Sequence, residues 1–161
     1  MIMSEMLELE EQEDQSFSEW LSFSLGESSY AVDILRVREI RTWERMARIP
    51  NSKGFLLGLI NLRGAIVPIV DLRKRFGLSA RPIDKETVVL IMTVLTEQGE
   101  KTMGIMVDKI CDVVNLTDDD IKSAAKFDLT ISDRFVHGIT DVRGAMAVLL
   151  DIDSVLDTVD F

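Results

Sequence analysis

Apolar residues in this chain fall in short runs rich in Val, Ile and Leu, broken by Gly, Asn, Asp and charged pairs. Runs of that length and β-branched character predict strands rather than helices. Phe17, Trp20, Leu21 and Phe23 open the first run, Gly26–Ser29 supplies a turn, and Tyr30–Ile34 returns, which predicts a hairpin. Val88–Leu95, a turn at Thr96–Lys101, and the run through Ile105 to Asp108 repeat that plan. Pro68 lies inside the Ile66–Val70 run; it cannot donate to a ladder, so it marks an edge position or a bulge. Helical signals are brief. Asp71-Leu-Arg-Lys-Arg-Phe stops at Gly77, Thr117 is an N-cap candidate for a helix starting near Asp118, and Asp153–Asp157 predicts a last turn.

The strongest pattern is an internal repeat. Gly58–Phe76 aligns without gaps on Gly138–Leu156 at an offset of 80, with Gly58/Gly138, Arg63/Arg143, Gly64/Gly144, Ala65/Ala145 and Asp71/Asp151 identical. More loosely, Tyr30-Ala-Val-Asp resembles Ile105-Met-Val-Asp. Each repeat therefore reads as strand, turn, strand ending in Val-Asp, connector, strand, Arg-Gly turn, strand ending in Asp. Glycine in the Arg-Gly turns permits the positive φ of tight hairpins. With about five strands apiece, each half is expected to curl into a small barrel, which limits exposed edges. The two lobes then pack together to complete a core.

Charge refines this picture. The net charge is −10, yet residues 1–15 hold six acids and no base, residues 36–81 hold eleven bases and three acids, and residues 82–161 hold seven bases and sixteen acids. Residues 1–16 read as a disordered acidic tail, too charged to bury much surface. The opposed blocks suit a protein with faces of opposite sign that docks different partners. The acidic whole opposes attraction to phosphate backbones, and no nucleic-acid module is present, so no nucleic-acid partner is expected. No apolar run reaches the roughly 20 residues of a membrane span, and no basic n-region followed by an apolar stretch opens the chain. A single cysteine, Cys111, excludes an internal disulfide; without a second cysteine it reads as a small core residue.

Catalytic chemistry is hard to assemble. His137 is the only histidine and nothing in the sequence marks a partner for it. Asp33, Asp71, Asp108 and Asp151 recur at equivalent places, which points to a shared structural job, hydrogen bonding to nearby amides. A hydrolase would need a cleft that gathers at least two of them. Asp118, Asp119 and Asp120 lack the alternating spacing of a calcium loop and suit a helix start. No metal or cofactor is expected. Arg63 invites two readings, a solvated turn residue or a stiffly held guanidinium offered to a partner; Arg143 shares the ambiguity.

Three stretches carry a family resemblance: Tyr30-Ala-Val-Asp-Ile-Leu-Arg-Val-Arg-Glu-Ile, Arg48-Ile-Pro-Asn, and Gly58-Leu-Ile-Asn-Leu-Arg-Gly-Ala-Ile-Val-Pro-Ile-Val-Asp-Leu-Arg. With Gly104-Ile-Met-Val-Asp and Phe135–Leu150, they resemble the CheW family over about residues 17–157. The resemblance implies a mainly β fold of two interlocked five-stranded SH3-like barrels sharing a core, with a few short helices and no catalytic activity. It implies an adaptor, monomeric when free, that joins the cytoplasmic tip of chemoreceptors to the CheW-like regulatory domain of the histidine kinase CheA. Such a protein is cytoplasmic and recruited to membrane-associated receptor arrays without inserting into the bilayer. A free-standing CheW fits better than CheV or CheA, since the chain has no room for a receiver or kinase domain. Val37, Glu39, Ile40, Arg63, Val88 and Ile110 match receptor-contact positions; for Val37, Val88 and Ile110, ordinary core packing is an equal alternative. Arg48, Ile49, Gly58 and Phe127 match kinase contacts. Phe127 either projects as an anchor or folds back on its own lobe. A stand-alone ligand-binding or enzyme-regulating β domain is the competing class.

Overall fold

The structure, a computed structural model, describes residues 17–43 and 54–157. The acidic tail lies outside the described residues, as do Arg48 and Ile49. Ten strands are described: β1 (Ser18–Leu25), β2 (Ser28–Asp33), β3 (Val37–Thr42), β4 (Leu56–Leu62), β5 (Ala65–Asp71), β6 (Val88–Thr96), β7 (Gly99–Val107), β8 (Lys109–Leu116), β9 (Val136–Val142) and β10 (Ala145–Leu150). Two helices of one turn, α1 (Leu72–Arg75) and α2 (Ile152–Val155), follow β5 and β10. The helix expected near Asp118 is a 3-10 turn, Asp118–Asp120, whose Thr117 and Asp120 bond reciprocally in a capping box.

The fold is mainly β, in two five-stranded sheets, as expected. The halves do not each curl alone, however. One sheet runs β8-β1-β2-β10-β9 and the other β3-β6-β7-β5-β4. The first hairpin of each repeat thus completes the sheet of the other repeat. The handover points are two short parallel ladders, Ile69–Asp71 beside Gly104–Met106 and Ala147–Leu149 beside Ser29–Ala31. Strand patterning could not reveal this, because alternation fixes which side chains share a face and not which strand lies alongside. Pro68 also departs from the edge-strand expectation. It sits in an interior strand, opposite Leu59 of β4 and one residue before pairing with β7 begins at Ile69.

Three apolar clusters explain why the exchange holds. The largest draws on both sheets: Leu21, Phe23 and Leu25 of β1, Leu90, Met92 and Val94 of β6, and the two helices through Leu72, Ile152 and Val155. Each sheet also wraps a cluster of its own, Trp20, Ala31, Leu116 and Leu149 in one, Val67, Ile69, Val89 and Ile91 in the other. β6 therefore buries both faces, with Val89 and Ile91 turned into its own sheet and Leu90 and Met92 into the shared core. Burying each such side chain contributes roughly 1.5–3 kcal/mol. At the centre of the repeat symmetry, Arg75 lies between two equivalent rings, its guanidinium 4.8 Å from the centre of Phe55 and 4.7 Å from that of Phe135. Its Nε donates to the carbonyl of Val155, the residue that replaces it in the second repeat. Burial, aided by Arg134, lowers the pKa of Arg75, but a guanidinium remains charged at neutral pH.

The repeated aspartates do structural work, in two ways. Asp71 accepts from the amides of Arg73 and Lys74 at the start of α1; Asp151 accepts from the amide and hydroxyl of Ser154 in α2; Asp33 accepts from the amide of Leu35. Asp108 instead anchors an ion pair. Arg73 grips it with Nε, 2.8 Å from Oδ1, and with Nη2, while Arg81 adds a bond of 3.0 Å. Its Oδ2 also accepts from the amide of Gly26 in the β1–β2 turn. The second repeat inverts the charges of this pair. Asp153 stands where Arg73 stood, receives Arg36 at 2.9 and 2.8 Å, and accepts from the amide of Leu95 near the end of β6. Both pairs tie a helix to the segment that follows the other repeat's hairpin. They also use arginines of the basic block against acids of the acidic block, so the opposed charges along the chain partly cancel in space.

Burial pushes the Asp108 carboxyl up, but the Arg73 and Gly26 hydrogen bonds and the arginine charge outweigh it, and its pKa lies below the ordinary value. A depressed folded-state pKa stabilises the fold above the unfolded value of about 3.9 and loses that contribution as pH falls through the folded value. Replacing Asp108 by Ala is expected to cost about 3 kcal/mol in chemical denaturation at pH 7, because Arg73 and Arg81 are left facing a vacated site. The gap between variant and parent should close below about pH 3.

Candidate functional site

Leu62 pairs with Ala65, which leaves Arg63 and Gly64 as a two-residue loop. Both have positive φ, 51° and 88°, the pattern of a type I′ hairpin. Arg143 and Gly144 repeat it at 51° and 82°. A non-glycine residue in this region costs roughly 1–2 kcal/mol, so the arginines occupy a place that other residue types fill more easily. Each turn is closed by a side chain that the sequence reading missed. Asn61 Oδ1 accepts from the Gly64 amide at 2.9 Å, and Asp141 Oδ1 accepts from the Gly144 amide at 2.8 Å. The signal was available in the sequence: an Asx residue three positions before each turn glycine.

Arg63 is 78 % exposed, and its Nη2 lies 3.4 Å from Oε2 of Glu39 on β3. Arg41 lies 3.6 Å from the other oxygen of Glu39. Strands β3 and β4 stand at opposite ends of their sheet's order, so this contact shows the sheet curled until its edges meet. Beside it is a depression of about 360 Å3 lined by Arg38, Glu39, Leu62, Arg63, Val67 and Ile91. The other sheet closes in the same way, with Arg143 3.2 Å from Asp112 of β8. Ser22, buried at the β1–β8 bulge, fixes Asp112 by bonding both its carbonyl and its amide.

Of the residues matched to receptor contact, the structure brings Glu39 and Arg63 together. Ile40 follows on β3, half exposed. Val37, Val88 and Ile110 do not line the depression; they are partly buried against the shared core, the first two from one sheet and Ile110 from the other. Of the residues matched to kinase contact, Gly58 is buried in edge strand β4. Phe127 is 48 % exposed, after the 3-10 turn Ala124–Lys126. It belongs to none of the three apolar clusters. Ile66 and Met146, equivalent residues just past the two Arg-Gly turns, are also exposed.

A paired sheet fold with charged hairpin tips is matched elsewhere. The family model of the CheW-like domain covers residues 19–160. The chemotaxis protein CheW of Klebsiella aerogenes is 38 % identical over 140 residues, spanning 87 % of this chain and 82 % of that one. The chemotaxis protein CheW of Rhizobium meliloti is 32 % identical, spanning 85 % and 86 %. The crystal structure of the scaffolding protein TtCheW from Thermoanaerobacter tengcongensis superposes with a TM-score of 0.80 at 29 % identity, over 89 % of this chain and 94 % of that one. The chain belongs to the CheW family. Its function is that of a chemotaxis adaptor, a scaffold in signalling.

CheW proteins are adaptors rather than catalysts, and the groups that raised catalysis have other uses here. A cleft of about 410 Å3 does gather two strand-end aspartates, Asp33 and Asp151, with Asp118, Asp153 and His137. Asp33 and Asp151 are the amide caps described above, and Asp153 is held by Arg36. His137 is exposed and rests against Trp20, ring centres 5.4 Å apart. Among the described residues no cluster of His, Cys, Asp or Glu could hold a metal ion. Cys111 corrects an expectation: it is exposed, not core. Strand β8 lies at a sheet edge, and Cys111 falls on the face turned to solvent. Among the described residues no helix is long and apolar enough to cross a membrane.

The turn and its arginine should separate in mutagenesis. A side chain at Gly64 would meet nothing within 4 Å, so Gly64→Val pays only in backbone conformation, about 1–2 kcal/mol in a denaturation midpoint. Arg63→Glu should leave stability within about 0.5 kcal/mol, since the side chain is exposed and packs against nothing buried.

Proposed function

We propose that this CheW couples chemoreceptors to the histidine kinase CheA and carries out no bond chemistry of its own. The observation that carries the proposal is Arg63, an exposed guanidinium on a hydrogen-bonded two-residue turn, beside a depression with an apolar floor. A receptor tip presenting a helix would lay an apolar stripe along this face, over Ile40 and toward Val37, Val88 and Ile110, with Glu39 and Arg63 setting its register at the rim. The three partly buried valine and isoleucine positions would then act mainly by shaping the surface.

The kinase would be held elsewhere. Phe127 sits in the connector between β8 and β9, whereas Arg63 sits on the β4–β5 hairpin of the other sheet. An aromatic ring left half exposed among polar residues suits an interface anchor. Arg48, Ile49 and Gly58 are assigned to a second contact with the CheW-like regulatory domain of CheA. Two different contacts per molecule allow a heterologous, ring-forming arrangement with that domain. Recruitment to membrane-associated arrays would then follow from the receptor contact.

Co-sedimentation with receptor-bearing membranes and CheA tests both surfaces at once. Arg63→Glu is expected to weaken receptor binding by roughly 30-fold, the scale of an interface hot spot, while leaving binding to the isolated regulatory domain within about twofold. Phe127→Ala should do the reverse. Loss of both activities in either variant, or of neither, contradicts the assignment of separate surfaces.

A further inference from the structure

The two hairpin tips follow one plan and differ at one position that carries charge. The first turn is closed by Asn61, the second by Asp141, each through the same oxygen-to-amide bond. Around the first tip, Arg63 and Arg41 share the single carboxylate of Glu39. Arg38 lines the same depression, and its recorded hydrogen bond is to a neutral hydroxyl, that of Thr102. Around the second tip, Arg143 meets Asp112, and Asp141 brings a second carboxylate into the turn itself. The first tip therefore carries surplus positive charge and the second does not.

We infer that Asn61 is the residue that both positions Arg63 and sets the charge preference of its surface: the Asn61 amide oxygen holds the left-handed turn without adding a carboxylate that would compete for the guanidinium. The partner segment it favours is one that offers a carboxylate to Arg63. Asn61 is exposed, so packing does not dictate its identity. The second copy demonstrates that Asp closes the same turn equally well, so turn geometry does not dictate it either. Charge is the property that distinguishes them. The inference rests on the reading of Arg63 as a docking group.

The test titrates a chemoreceptor cytoplasmic fragment onto the full-length protein at about 0.05 M and about 0.5 M salt, where screening differs strongly. Asn61→Asp should melt within about 1 °C of the parent. It should bind roughly five- to tenfold more weakly at low salt, the deficit shrinking below about twofold at high salt. Asn61→Ala, which lacks the closing oxygen, should bind more weakly at both salt levels. In an Arg63→Ala background, neither change should weaken binding further. If Asn61→Asp binds like the parent at low salt, or still weakens binding when Arg63 is absent, the inference is overturned while the docking reading stands. If Arg63→Ala alone binds like the parent, the docking reading fails and this inference fails with it.

Discussion

Two parallel ladders of three residues each join strands from different repeats, and through them neither half of the chain owns a complete sheet. A hairpin detached from its host sheet would expose the shared core on one face and an unpaired edge on the other. The repeats must therefore fold as one cooperative unit, even though they look separable along the sequence. The ion pairs Arg73–Asp108 and Arg36–Asp153 reinforce the same junctions, each binding a short helix to the segment leaving the opposite hairpin. Their charges are inverted between the copies, which is how two equivalent junctions avoid presenting interchangeable partners to each other.

This interlocking has consequences at the surface. Because each curled sheet closes on itself through a hairpin-tip arginine, the tips are held at both ends, by the Asx bond beneath and by Glu39 or Asp112 across the seam. A guanidinium on such a tip loses little further freedom when it meets a partner, and less ordering cost means more of the contact energy appears as affinity. The family assignment and this geometry agree on the kind of protein involved, one that works by presenting stiff surfaces rather than by enclosing a substrate.

Charge along the chain gave a simpler picture than charge in space. Arg36, Arg73 and Arg81 belong to the basic block, yet all three are occupied by acids of the C-terminal half, and Arg75 is spent between Phe55 and Phe135. What remains for partners is concentrated near Glu39, where Arg38, Arg41 and Arg63 converge. The surface that matters is thus a residue of internal pairing, smaller than the sequence blocks suggest.

Much was legible in the residues alone: the strands and their turns, the duplicated Arg-Gly hairpins, the glycine stop after α1, the aspartate caps, and the family itself. These features are local, encoded by side-chain alternation, by φ preferences at glycine and by side chains bonding to amides a few positions away. The exchange of hairpins between sheets was not legible, nor the partners of Arg36, Arg73 and Arg75, nor the exposure of Cys111. Those depend on contacts between residues 35 to 117 positions apart. No local pattern records them, because an apolar face is satisfied by any complementary surface and a guanidinium by any carboxylate within reach. Which neighbour is supplied is settled only when the whole chain buries its apolar surface at once.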